Sequence, residues 1–227
     1  MSNPKPAAII FDLDGTLIDN NSYHIEAWKA FYEKKGLPFS MDIYRDRING
    51  RINKDIFRII LGNDITDDEI AHYGAEKEAL YRVLYAPHIK PIDGLINFLS
   101  SMHLLELPMG IATSGIVPNI DFMFQHISIR HFFTAITDGS MVTHGKPNPE
   151  IFLKTAAALQ VNATDCIAFE DSIAGIRSAR AAGMFTIGLS TTHSVEELMH
   201  EAHWVVPDYT HTSTPNLMQK WQLHRLQ

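Results

Sequence analysis

One cysteine among 227 residues, Cys166, leaves no partner for an internal disulfide, so packing alone must hold the fold. It sits in the apolar run Cys166-Ile167-Ala168-Phe169 and reads as a core residue. No stretch approaches the roughly 20 apolar residues of a membrane span, and none of the 12 histidines falls in a zinc-protease pattern. Basic charge is scarce: 19 lysines and arginines against 26 acids give a formal charge of −7. That balance argues against nucleic acid or an anionic membrane bound through a broad electrostatic surface, while a small phosphorylated ligand held by a few local cations stays open. There is neither an internal repeat nor a low-complexity tract, and Met1-Ser2-Asn3-Pro4-Lys5-Pro6 carry no apolar leader core. A cytoplasmic location in a reducing compartment, and a monomer, are the expectations. With 45% hydrophobic and 20% charged residues, the chain suffices for one domain with an insertion or two small domains.

Short apolar runs recur after long helical patterns: Ala7 to Phe11, Met109 to Ala112, Cys166 to Phe169, Phe185 to Leu189 and Trp204 to Val206. Such alternation predicts an α/β fold, a doubly wound parallel sheet with crossover helices. Asn148 is placed to cap a helix opening at Pro149, and the helical stretch Ile173 to Ala182 closes at Gly183. Residues 20–89 differ, with helical periodicity and no convincing strand. They predict an inserted helical unit, a cap, between core segments 1–19 and 90–227. Within it, one helix runs from about Ser22 to Lys35, and Thr66-Asp67-Asp68-Glu69 has capping-box spacing for another reaching roughly Val83. Proline and glycine at both crossings suit a hinge or plain turns.

Phe11-Asp12-Leu13-Asp14-Gly15-Thr16 ends the first strand with two carboxylates one residue apart, which point to the same side of an extended backbone. One carboxylate can attack a phosphate monoester while the other manages protons. Thr113-Ser114 leave the second strand, where a hydroxyl and the turn amides through Gly115 can receive phosphate oxygens; alone, this is an ordinary strand-exit turn. Lys146 lies in the stiff turn Gly145-Lys146-Pro147-Asn148-Pro149 and can neutralise Asp12 and a phosphoryl group, or be a solvated loop lysine. Glu170-Asp171-Ser172 stands where a buried strand gives way to a helix, either complementing the helix dipole or holding Mg²⁺. Gathered at one sheet edge, Asp12, Asp14, Glu170 and Asp171 would repel one another and a phosphate dianion without a divalent cation and a lysine. His24 lies near enough in sequence to approach the acid pair, with a packed or surface histidine as the competing reading. His200 and His203 read as a solvated helix face.

With Asp12-Leu13-Asp14-Gly15-Thr16, Thr113, Lys146 and Glu170-Asp171 in this order, the chain resembles the haloacid dehalogenase superfamily of phosphotransferases over nearly its whole length. The insertion is similar to the cap of the β-phosphoglucomutase-like branch. The resemblance implies a Rossmann-like core, an aspartyl-phosphate intermediate on Asp12, and Mg²⁺ held by Asp12, the Asp14 backbone carbonyl and Asp171, with Glu170 contributing directly or through water. It also implies that Thr113 and Lys146 bind phosphate and balance charge, and that His24, in Tyr-His-x-x-Ala-Trp, relays cap closure to Asp14. Where the mutases carry a loop resembling Lys-Gly-Val-Ser-Arg, this chain has Asn49-Gly50-Arg51-Ile52-Asn53, so Gly50, Arg51 and Lys54 become the expected substrate contacts beside His24, Ser114 and Gly115. The implied activity is a phosphatase for a small phosphorylated metabolite such as a sugar or polyol phosphate. A sugar-phosphate mutase and a non-catalytic phosphoacceptor module are the alternatives.

Overall fold

Ala8–Phe11 (β1) begins the core, and each of its residues is buried because the strand is flanked on both edges and covered on both faces. The structure is a computed structural model that describes residues 5–226; the ends of the expected core, 1–4 and 227, lie outside them. The other strands are Met109–Ala112 (β2), Ala135–Thr137 (β3), Cys166–Glu170 (β4), Phe185–Leu189 (β5) and Trp204–Val206 (β6). They form one parallel sheet in the order β3-β2-β1-β4-β5-β6. Strand β3, three residues at a sheet edge, is absent from the expectation because so short a segment has no room for a periodic signal.

The helices are Asn21–Lys34 (α1), Met41–Ile43 (α2), Asn53–Leu61 (α3), Asp67–Tyr85 (α4), Leu95–Leu104 (α5), Val117–His126 (α6), Glu150–Ala158 (α7), Ile173–Ala181 (α8), Val195–Leu198 (α9) and Thr214–Arg225 (α10). A π-helical turn at Tyr44–Ile48 follows α2 directly. Strand alternation divides the core in two. Ile9 and Phe11 face large apolar partners including Leu95, Phe98 and Trp221, and Phe11 stacks on Phe169 at 5.3 Å between ring centroids. Ala8, Ala112 and Ala168 face the other way with Ile10, and these small side chains let α7 and α8 pack close through Ile151, Phe152 and Ala179.

Between β1 and β2, helices α1 to α4 form the cap with an aromatic core of its own: Trp28, Phe31 and Phe57, with Tyr73 against its edge. Thr66 and Glu69 complete the expected capping box of α4. Helix α7 opens at Glu150, one residue later than expected, with Pro149 in the cap position; Asn148 Oδ1 still accepts from the Glu150 N–H at 3.0 Å. The histidine pair is exposed, as expected, but not on a helix: α9 stops at Leu198, and His203 leads into β6 with its ring stacked on Phe185 and its Nδ1 accepting from Thr186 N–H. Among the described residues no helix is long and apolar enough to cross a membrane.

Candidate active site

The strand order reverses direction at β1, whose neighbours are β2 and β4, so the carboxyl ends of these strands open onto one crevice. Phe11 pairs with Ile111 and with Phe169, which sets Asp12, Thr113 and Glu170-Asp171 side by side just beyond the paired residues. Gly15 turns the chain away with φ +74; a Cβ there would run into the Asp171 carboxylate and the Asn21 amide, so this position needs glycine twice over.

Lys146 is the centre of charge. Its ammonium, 1% exposed, donates to Asp12 Oδ1 at 2.5 Å and to Glu170 Oε1 at 2.6 Å. Burial disfavours its charge, but Asp12 and Glu170 overcome that and raise its pKa. The other Glu170 oxygen accepts from Ser172 N–H at 2.7 Å and Ser172 Oγ at 3.0 Å, which locks the carboxylate. Asp171 accepts from Asn21 Nδ2 at 3.0 Å, from Thr16 Oγ1 at 3.4 Å and from the Thr192 hydroxyl.

One ammonium does not balance this cluster. Burial, then the charge of Glu170, pushes the Asp171 carboxyl up to about 7. Burial also holds Asp12 well above the usual carboxylate range; Lys146 pulls it down without prevailing, against Glu170, Asp171 and Asp14. One oxygen from each of Asp12, Glu170 and Asp171 lies within 4.8 Å of the others, all three residues being buried. An all-oxygen, over-negative, inward-facing set is the donor chemistry a small hard cation requires, so these residues fit Mg²⁺.

Asp14 sits in a different field. Burial would raise its pKa, yet the His24 ring and the Asn20 amide hold it below the usual range. Asn20 Nδ2 donates to Asp14 Oδ1 at 2.5 Å, and His24 Nε2 stands 3.4 Å from the same oxygen without an aligned hydrogen bond. Asp14 therefore gives up its proton more readily than Asp12 does.

The expected residues separate into three groups. Asp12, Asp14, His24, Gly50, Arg51, Thr113, Ser114, Gly115 and Asp171 line one cleft. Lys146 and Glu170 lie directly behind it, in contact with Asp12. Lys54 is outside, its ammonium 3.5 Å from Asp67 on the cap surface. Ser114 Oγ donates to the Gly50 carbonyl at 2.8 Å, so here it joins core to cap. Gly50, at φ +75, approaches so closely that a Cβ would lie 2.5 Å from Ser172 Oγ. Thr113 Oγ1 accepts from Gly115 N–H at 2.9 Å.

Sequence reasoning missed Asn20, Asn21 and Thr192, and it missed Lys77, Glu78 and Asn119 on the cleft wall. A signal for Lys77 existed: it falls on the α4 stripe Ile70, Gly74, Lys77, Tyr81, Tyr85, the buried face of that helix. A charge on such a stripe marks a polar contact at the buried face.

The family model described as haloacid dehalogenase-like hydrolase matches residues 9–189. Validoxylamine A 7'-phosphate phosphatase of Streptomyces hygroscopicus subsp. limoneus is 30% identical over 214 residues, covering 92% of this chain and 96% of that protein. The β-phosphoglucomutase of Bacillus subtilis is 31% identical over 229 residues, 96% and 97% of the two chains. Among solved structures, a family IA, variant 3 hydrolase from Entamoeba histolytica superposes with a TM-score of 0.83 at 33% identity, covering 94% of this chain and 98% of that one.

Proposed function

The chain belongs to the haloacid dehalogenase-like hydrolase family, and from that premise we propose that it is a Mg²⁺-dependent phosphatase of a small phosphorylated metabolite, a sugar or polyol phosphate. The observation carrying this reading is the buried Lys146 ammonium bridging Asp12 and Glu170 beside Asp14, whose carboxyl is held below the usual range. A nucleophile, its charge partner and a proton-transfer group meet at one turn. Residues 20–89 would be the cap that covers them.

Mg²⁺ would be held by Asp12, the Asp14 backbone carbonyl and Asp171, with Glu170 contributing directly or through water, and when bound it stabilises charge on the phosphoryl oxygens. Asp12 attacks phosphorus in line, the bond from phosphorus to the leaving oxygen breaks, and that oxygen takes a proton from Asp14. A water then gives a proton to Asp14 and attacks the same phosphorus, releasing inorganic phosphate and restoring the Asp12 carboxylate. Asp14 is set for the second half because His24 and Asn20 favour its ionised form. An arriving phosphate dianion raises its proton affinity and so favours the acid needed in the first half. Lys146 holds Asp12 in place and offsets charge throughout. Thr113, at the exit of β2, lines the phosphate end of the cleft.

A phosphoester panel with Mg²⁺, scored by kcat/KM, tests the reading. Asp12→Asn should lower phosphate release by at least about 10⁴-fold on every substrate while leaving the circular-dichroism spectrum unchanged; ordinary turnover in that variant refutes the nucleophile. The similarity to a mutase, with the Gly50–Ser114 contact closing cap on core, favours a second reading as a sugar-phosphate mutase. Feeding β-glucose 1-phosphate with a bisphosphate primer separates the two: glucose 6-phosphate marks the mutase, free phosphate the phosphatase. Stable phosphorylation of Asp12 without turnover would mark a phosphoacceptor.

A further inference from the structure

Opposite the carboxylate cluster, the cap side of the cleft holds a second polar group that the hydrolytic steps do not use. Lys77 and Glu78, consecutive on α4, are only 3% and 4% exposed, and both line the cleft. The Lys77 ammonium has three protons to give. It faces His24 Nδ1 at 3.0 Å and Glu78 Oε1 at 2.9 Å, and it lies 4.8 Å over the Trp28 ring. Because an ammonium only donates, Nδ1 accepts and Nε2 carries the hydrogen toward Asp14.

Glu78 is held more completely than Lys77. Oε1 accepts from Lys77 and from Asn53 Nδ2 at 3.1 Å, and Oε2 accepts from Asn119 Nδ2 at 2.8 Å. Arg82 donates to the Asn119 carbonyl oxygen at 2.7 Å, which fixes the direction of that amide. An ionised carboxylate has about four acceptor sites, and three are used, so Oε2 keeps one for a ligand. The nearby cations are committed elsewhere: Lys77 to Glu78, Arg82 to Asn119, and Lys54 to Asp67. Arg51 reaches the Asp46 carbonyl at 3.5 Å.

We propose that Glu78 is a specificity-determining residue, accepting a hydrogen bond from a hydroxyl on the substrate's distal end and rejecting substrates with a second phosphate there. This rests on the cleft being a phosphomonoester site. A distal phosphate dianion placed against Glu78 would meet a fixed carboxylate whose adjacent cation, Lys77, is already paired with it, whereas a hydroxyl supplies a second donor to Oε2 beside Asn119.

Binding separates this inference from the catalytic reading. Calorimetry on the full chain carrying Asp12→Asn, with Mg²⁺, compares fructose 1-phosphate with fructose 1,6-bisphosphate; no turnover is needed. The monophosphate should bind at least about tenfold tighter, and adding Glu78→Gln should bring the two dissociation constants within about threefold, whereas Glu78→Asp keeps most of the preference. Equal or tighter binding of the bisphosphate in the Glu78 protein, or no binding of either sugar, overturns the proposal whatever the variants do. A preference that survives Glu78→Gln overturns it too. Failure of the native chain to release phosphate from any ester, with the binding preference intact, sinks the phosphatase reading alone.

Discussion

Two polar clusters face each other across the cleft, and they are balanced in opposite ways. On the core side, Asp12, Glu170 and Asp171 surround one ammonium, and burial raises the pKa of both aspartates. On the cap side, Glu78 meets Lys77, Asn53 and Asn119; against burial, Lys77, then His24 and Asn119, bring its pKa to about 2. The core cluster is short of positive charge and the cap cluster is not. A site short of positive charge gains by taking up a cation, whereas a balanced site gains nothing from an ion and acts through the direction of its hydrogen bonds. The core is thereby suited to chemistry and the cap to discrimination.

Removing the lysine from each side puts that contrast to its hardest test. Lys146→Met leaves Asp12 and Glu170 buried without their partner, and Lys77→Met does the same to Glu78. Each should cost about 3–5 kcal/mol in urea unfolding without metal. Millimolar Mg²⁺ should recover a substantial part of the loss for Lys146→Met and none for Lys77→Met. Equal rescue, or rescue of neither, would erase the distinction between the clusters.

The pH dependence of stability should also have opposite signs. Asp171 has its folded pKa raised, from 3.8 to about 7, so ionising it costs stability. That penalty is absent below 3.8 and complete above about 7, so the metal-free fold weakens as pH rises through this window. Glu78 is depressed from 4.5 to about 2; its stabilisation is full above 4.5 and disappears as pH falls through about 2. On the proposed reading Mg²⁺ would bind the ionised carboxylates, so its stabilising effect should grow with pH: saturating ion should raise Tm by about 5–10 °C at pH 8 and by less than half as much at pH 5.5. A Mg²⁺ effect independent of pH in differential scanning fluorimetry would contradict the raised Asp171.

How much of this was legible in the sequence follows the same division. The core motifs lie at strand ends, where apolar runs stop abruptly, and a parallel sheet brings such ends together whatever the intervening loops do. Asp12, Thr113, Lys146, Glu170 and Asp171 were therefore readable, as were five of the six strands. The cap was readable as helices and, through His24, Gly50 and Arg51, as part of the cleft wall, but its α4 contribution was not. Glu78 looks like an ordinary surface charge in Glu76-Lys77-Glu78; Lys77 alone carries a signal, its place on the apolar stripe of α4, and the packing of α4 against α1 buries both. Asn20 meets Asp14 six residues back at the entry to α1, while Asn21 and Thr192 meet Asp171 from separate segments, and no spacing rule encodes these meetings. Lys54 erred in the other direction: its place beside Gly50 and Arg51 suggested the cleft, but α3 opens at Asn53 and sets its ammonium toward Asp67.

Lys54 accordingly supplies the smallest effect and a sharp one. Its side chain and that of Asp67 are 47% and 74% exposed, so solvent screens their attraction. Arg58 lies 3.3 Å from the same carboxylate and would keep it paired after truncation. Lys54→Ala should change unfolding free energy by no more than about 0.5 kcal/mol and kcat/KM by less than about twofold on the best substrate of the panel. A loss of tenfold or more in kcat/KM, carried by KM, would mean that the lysine swings into the cleft when substrate binds. The cap would then send a further cation into the cleft beside Arg51, and the charge balance around Glu78, on which the contrast with the core depends, would fail.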